Sequence, residues 1–300
     1  MQTKTEIRRL LSEAGVRPNK RFGQNFLIDA NLMRILVDGA SLTRNDIVLE
    51  VGCATGSLTE ELAKEGGAVI AVEIDKKLAE IAARQLSCFD NVEIISADVL
   101  SDKHTINPDI TEIIRKARQK FGGRFLMVSN LPYSAATPLM LNLVCGPVVA
   151  DAMYVTVQKE VAERMTAKAG SSEYGILSVI LACFGDLKVI RKMPAAVFWP
   201  MPQVESAMIS FVRSSQKAEQ VENAETLTSV VSLFMQHRRK MVSGIVKYAA
   251  GSLAEIDNWD ELFEKSGIDP QSRPQTIPPE NFLHLANLCR QLEMLRQKQE

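Results

Sequence analysis

Three hundred residues give room for two domains, and 46% apolar side chains allow a full-sized core in at least one of them. With 35 basic against 36 acidic side chains the formal charge is -1, so bulk electrostatics points neither to a nucleic-acid binder nor to a membrane-surface protein, and any basic site must be local. The cysteines, Cys53, Cys88, Cys145, Cys183 and Cys289, form no C-x-x-C pair and have no histidine close by, which suits a reducing cytosol rather than a metal centre.

The opening MQTKTEIRRLLSEAGV carries Glu6 and Glu13 and lacks a long apolar run, unlike a signal or transit peptide, and no segment approaches roughly eighteen apolar residues. A cytoplasmic protein without a membrane anchor is expected. The first two dozen residues are locally basic, with Lys4, Arg8, Arg9, Arg17, Lys20 and Arg21, and read as a helix and loop able to face phosphates. From Asp46 short apolar runs alternate with amphipathic stretches. DIVLEV (46–51), AVIAV (68–72), VEII (92–95), FLMV (125–128) and AMYVTV (152–157) predict buried strands. Leu58–Glu65, Lys76–Leu86, Ile110–Lys120 and Val161–Lys168 predict the helices between them. The class is therefore α/β, a parallel sheet covered on both faces. Val189–Met193 and Ser206–Val212 predict an antiparallel hairpin closing one edge. The polar SSQKAEQVENAET then reads as a linker, so residues 1–213 form a catalytic domain and 214–300 a small helical one, with helices over 227–250, 259–266 and 281–296.

The first strand runs into Glu50-Val51-Gly52-Cys53-Ala54-Thr55-Gly56, a strand, a turn of small residues and a helix start. Such turns bring backbone amides close to a ligand, and Glu73, at the end of the next strand, stands where it can bind ribose hydroxyls. The spacing lacks the second glycine of a pyrophosphate cradle and looks instead like the S-adenosylmethionine turn of Rossmann-like class I methyltransferases. Asp98, closing the third strand, can accept from the adenine amine of that cofactor. Ala54 stands where a glycine is usual; its methyl fits if φ there is negative, so cofactor binding is expected to survive. The histidines, His104, His237 and His284, are far apart, and no catalytic metal is expected.

The fourth strand delivers Asn130-Leu131-Pro132-Tyr133 to the same edge. An adenine amine is a poor nucleophile because its lone pair is delocalised into the ring. The Asn130 amide oxygen and the Leu131 carbonyl, both accepting from it, would draw it toward tetrahedral geometry as it attacks a sulfonium methyl. Pro132 fixes the bend, and Tyr133 offers a face for stacking the base. Phe198 or Trp199, in FWPMPQVES, could form the opposite wall. Arg238, Arg239 and Lys240, expected on the first tail helix, could contact RNA phosphates.

KRFGQNFL (20–27), E-V-G (50–52), Glu73, Asp98, NLPY, QKEV (158–161), YGxLSV (174–179), FxPxPxV (198–204) and RRK (238–240) together resemble the KsgA-type adenine dimethyltransferases of small-subunit rRNA, over nearly the whole chain. The resemblance implies two methyl transfers to each of two adjacent adenosines in the 3′-terminal hairpin of 16S rRNA, within the immature 30S particle, by a monomer using S-adenosylmethionine. It places cofactor contacts on Asn25, Leu27, Gly52, Glu73, Asp98 and Asn130, with FGQNFL as a lid over the methionine end. Other readings share the fold: an assembly factor with little activity, or a 23S rRNA methylase of the antibiotic-resistance type. A DNA adenine methylase would more typically carry D-P-P-Y.

Overall fold

A computed structural model describes residues 1–19, 22–102 and 105–297. Lys20 and Arg21 of the basic arm, and His104, lie outside the described residues. The chain divides into two compact units, residues 1–162 with 188–212, and residues 163–187 with 213–300. This differs from a single cut after 213. The segment 163–187 carries a strongly apolar helix that packs with the tail helices, so it leaves the first unit although it lies between two of that unit's strands.

In the first unit α1 (Lys4–Glu13) begins at a capping box, Thr3 accepting from the Glu6 amide while the Glu6 carboxylate accepts from Thr3. A two-residue strand β1 (Phe26–Leu27) and α2 (Ala30–Ala40) follow. Then come β2 (Ile47–Val51), α3 (Ser57–Glu65), β3 (Ala68–Glu73), α4 (Lys76–Gln85), β4 (Val92–Ser96), α5 (Pro108–Lys120), β5 (Phe125–Asn130), α6 (Tyr133–Cys145) and β6 (Ala152–Gln158). After α7 (Lys159–Thr166) and α8 (Ile176–Phe184) the chain returns through β7 (Gly185–Met193), the two-residue β8 (Phe198–Trp199) and β9 (Ser206–Arg213). The sheet order is β4-β3-β2-β5-β6-β9-β7. Its first five strands are parallel, β9 runs antiparallel to β6, and β7 lies at the edge beyond β9. All five residues of β2 are buried, as are the first five of β5, which is why both read as continuous apolar runs.

Two side chains set how the central strands meet. At their amino ends the buried Asp46 carboxylate accepts from the Arg124 amide at 2.8 Å and pairs with its guanidinium at 2.7 Å. At their carboxyl ends β2 and β5 are in register only through Leu49 and Met127. Beyond that the Val51 amide donates to the Ser129 hydroxyl at 2.8 Å. A side chain thus replaces the ladder bond, so β2 and β5 part at the carboxyl edge where the strand order reverses, which is where an open α/β sheet forms its crevice.

The second unit holds α8 with α9 (Ser215–Ala218), α10 (Ala224–Gln236), α11 (Trp259–Ser266) and α12 (Pro279–Gln297). Phe234 is its centre, with the rings of Trp259, Phe263 and Phe282 at 6.0, 6.1 and 6.2 Å. The expected helix over 227–250 stops at Gln236. The Val242 and Ser243 amides donate to the Ser272 and Pro270 carbonyls, tertiary bonds that replace the helical ones and turn the chain through short 3₁₀ segments.

Candidate active site

The turn after β2 is shaped by three residues with positive φ, Gly52 at 80°, Ala54 at 52° and Gly56 at 84°. A methyl on Gly52 would stand 3.0 Å from Pro132 Cγ, so this glycine lets the NLPY segment close on the turn. The Ala54 amide donates to Glu73 Oε2 and the Asp75 amide to Oε1, each at 2.9 Å. Burial pushes the Glu73 carboxyl up, and the Asp75 and Ala54 amides pull it back. Two fixed donors leave each oxygen a lone pair for a diol. A second fastening comes from the N-terminal segment: Gln2 Nε2 donates to the Thr55 carbonyl at 2.9 Å, Thr55 Oγ1 donates to Gln2 Oε1 at 2.6 Å, and the Gln2 amide reaches Ser57 Oγ at 2.9 Å.

Ala54 does not meet the condition of negative φ. Held in the left-handed region, it carries strain of about 1 kcal/mol that a glycine would not. Ala54→Gly is therefore expected to raise the midpoint of thermal unfolding by roughly 1–3 °C. A lower midpoint in calorimetry would mean that packing of the Ala54 methyl outweighs the strain.

A cavity of about 210 Å³ opens over this turn, lined by the ends of β2, β3 and β5, by residues 22–27 and by Asp98. Asn25, Leu27, Gly52, Glu73, Asp98 and Asn130 all line it, together with Leu131, Pro132 and Tyr133. Asp98 is exposed, and its Oδ1 accepts from the Leu100 amide at 3.0 Å. The Asn25 side chain donates to the Gly23 carbonyl at 3.0 Å, shaping the loop, while its own carbonyl accepts from Asn130 Nδ2 at 2.9 Å. A carbonyl can only accept, so the Asn130 nitrogen must face Asn25. Its oxygen accepts from the Thr156 hydroxyl on β6. Asn130 is thus clamped from both sides with one N–H and one lone pair to spare. No donor to the Leu131 carbonyl is present among the described residues. Tyr133, first residue of α6, is half-buried, with its hydroxyl 2.7 Å from Ser206 Oγ.

Phe198 is placed differently from the others. It pairs with Leu27, is 3% exposed, sits in the core with Leu32, Leu36 and Met208, and does not line the cavity. The partly exposed ring of β8 is Trp199, stacked on Phe26 with centroids 5.9 Å apart. Pairing of β1 with β8 makes Phe26 and Leu27, the end of FGQNFL, one side of a two-stranded ribbon.

Glu50 was not among the expected site residues. It is 2% exposed, lines the cavity, and its Oε2 has no hydrogen-bond partner among the described residues. Burial pushes its carboxyl up to about 8, with the Thr59 hydroxyl acting against the rise and Glu73 adding to it. The signal was present in the sequence as one acid inside a strand of valine, leucine and isoleucine. Its position suits a ligand carrying positive charge. Cys53, beside it, has its thiol pushed up by burial and by Glu50 and Glu73, which makes it inert.

In the second unit Arg238, Arg239 and Lys240 lie in the turn after α10 rather than on it. Arg238 donates to the Ser172 carbonyl at 2.6 Å, and Lys240 Nζ stands 5.3 Å from the Tyr248 ring, which stacks on His237 at 4.2 Å. Among the described residues no group of His, Cys, Asp or Glu is arranged to hold a metal, and no helix is long and apolar enough to cross a membrane.

The family model described as ribosomal RNA adenine dimethylase matches residues 15–291. Proteins called ribosomal RNA small subunit methyltransferase A are similar throughout. That of Geobacillus thermodenitrificans is 33% identical over 286 residues, covering 95% of each chain. That of Pediococcus pentosaceus is 35% identical over 296 residues, covering 98% of this chain and 97% of the relative. Among solved structures, a dimethyladenosine transferase from Plasmodium falciparum aligns with a TM-score of 0.68 at 22% identity, over 86% of this chain and 94% of that one. The 23S rRNA methyltransferase ErmE aligns with a TM-score of 0.61 at 22% identity, over 88% of this chain and 98% of its own. These two likenesses establish the Rossmann-like methyltransferase fold. The family model and the relatives, matched over nearly the full length, establish that the chain belongs to the ribosomal RNA adenine dimethylase family.

Proposed function

We propose that the protein dimethylates two adjacent adenosines in the 3′-terminal hairpin of 16S rRNA, within the immature 30S particle, acting as a cytoplasmic monomer with S-adenosylmethionine as cofactor. The observation that carries this reading is the clamped Asn130 amide at the end of β5, beside a free Leu131 carbonyl and a tyrosine ring.

The residues present fit the cofactor. Glu73, pinned by two amides, would hold the ribose, and Asp98 the adenine amine. Gly52 leaves room over the turn, and Asn25 and Leu27 would cover the methionine end near the unpartnered Glu50. When bound, S-adenosylmethionine supplies an electrophilic methyl on a sulfonium sulfur. The protein's share is to present the amine. Tyr133 stacks the adenine, and neither ring of β8 joins it, Phe198 being buried in the core and Trp199 lining no part of the cavity. Asn130 Oδ1 and the Leu131 carbonyl accept the two amine hydrogens, turning the nitrogen lone pair out of the ring and stabilising the positive charge that grows there. The methylated nitrogen then loses a proton to solvent, so no strong base is required. Arg238, Arg239 and Lys240 would meet phosphates elsewhere on the particle.

The test offers the purified protein labelled S-adenosylmethionine with unmethylated immature small subunits, and separately with large subunits, and maps the modified bases. Two methyl groups on each of two adjacent adenosines of small-subunit RNA are expected. Label only on large-subunit RNA, or on neither, would sink the proposal.

A further inference from the structure

A second depression lies beside the cavity, between the end of α1 and β8, lined by Arg8, Ser12, Val16, Arg17, Pro18 and Trp199. Two thin partitions separate it from the cofactor cavity. Ile7 lines the cavity while the next residue, Arg8, lines the cleft, and Phe26 lines the cavity while Trp199, stacked on it, lines the cleft. The Arg8 guanidinium sits over the Trp199 ring, 5.9 Å from its centroid.

Charge in this cleft is one-sided. No carboxylate lines it, and neither Arg8 nor Arg17 is paired with one among the described residues. The acids of α1 are engaged elsewhere: Glu6 in the capping box and Glu13 with Arg9 at 2.8 Å. Two exposed guanidinium groups without a carboxylate partner, beside an indole face, match the chemistry of a single-stranded nucleotide. The indole and the guanidinium planes stack a base, and the guanidinium hydrogens bond its phosphate.

We propose that this cleft is a second nucleotide subsite, holding the base and phosphate of the residue next to the adenosine being methylated. The proposal rests on the RNA substrate argued above. Because the two target adenosines are adjacent, one cleft can hold one of them while the other reacts.

The test follows intrinsic fluorescence as a single-stranded oligoadenylate, or an RNA hairpin of the small-subunit 3′ end, is added in the absence of cofactor. Quenching that saturates and disappears in Trp199→Phe, which retains the buried Trp259, is expected. Arg8→Gln/Arg17→Gln should weaken RNA binding by at least tenfold while S-adenosylhomocysteine affinity stays within twofold. Absence of quenching by both RNAs, or wild-type RNA affinity in the double variant, would overturn the subsite. Methylation of immature subunits without quenching would sink the subsite alone, whereas quenching without methylation of either subunit would sink only the proposed function.

Discussion

Asn130→Ala is expected to lower methyl transfer by roughly 10²–10³-fold, the loss typical of removing one fixed hydrogen-bonding group from a developing charge. The geometry makes the residue hard to replace. Its nitrogen is committed to the Asn25 carbonyl and its oxygen to the Thr156 hydroxyl, so the amide cannot swing, and the free lone pair points without reorganisation. One N–H also remains for the cofactor. Affinity for S-adenosylhomocysteine should therefore fall in Asn130→Ala, but by less than tenfold, and calorimetry on the purified variant separates the two effects. Single-turnover transfer within threefold of wild type would remove Asn130 from the chemistry and with it the account of how the amine is activated.

Glu50→Gln should stabilise the cofactor-free protein, and by an amount that depends on pH. The folded protein keeps a proton on this carboxyl up to about 8, whereas the unfolded chain releases it near the ordinary 4.5. Between those values the folded state binds more protons, so the contribution of Glu50 to stability falls as pH rises and levels off above 8. Glutamine does not titrate. The stability difference between variant and wild type should therefore be near zero around pH 4 and reach the order of a few kcal/mol at pH 8. Urea unfolding across that range measures it; parallel profiles would mean that Glu50 is ionised in the folded protein. A cationic ligand should draw the proton off. Calorimetric titration with S-adenosylmethionine near pH 7, in buffers of different ionisation enthalpy, should register proton release by wild type and none by Glu50→Gln.

The residues around Asn130 and Glu50 show which parts of the site could be read in advance. β2, β3, β5 and β6 were legible because a strand buried on both faces writes itself as an apolar run, whereas β4, an edge strand with no buried residue, was marked by its place in the alternation; the positions at the ends of these runs gave Gly52, Glu73, Asp98 and Asn130. β1 and β8 were not, since two residues carry no periodicity and their pairing joins positions far apart in the chain. Asn25 and Leu27 accordingly came from resemblance alone, and Phe198, offered with Trp199 as a wall for the base, is buried in the core. Thr156 reads as any β-branched strand residue until Asn130 is placed beside it. The φ of Ala54 has no local signature, because the turn imposes it through its amide bond to Glu73. In the tail, residues 237–250 have helix-compatible composition, and only the Ser272 and Pro270 carbonyls, some thirty residues on, reveal why the helix ends.

The path of the chain between the two units also dictates an order of events during synthesis. The sheet cannot gain β9 until after residues 163–187, which belong to the other unit, have been made. That segment in turn waits for its partners. The Tyr174 hydroxyl bonds the Ile277 carbonyl across 103 residues, and Cys183 meets the Pro279 carbonyl across 96. Most of α8 is buried in the finished molecule, so as the chain emerges this apolar helix stands uncovered until the last helix arrives. Contacts so distant in sequence close only after most of the chain is made, which leaves this apolar surface open to aggregation for a time during translation.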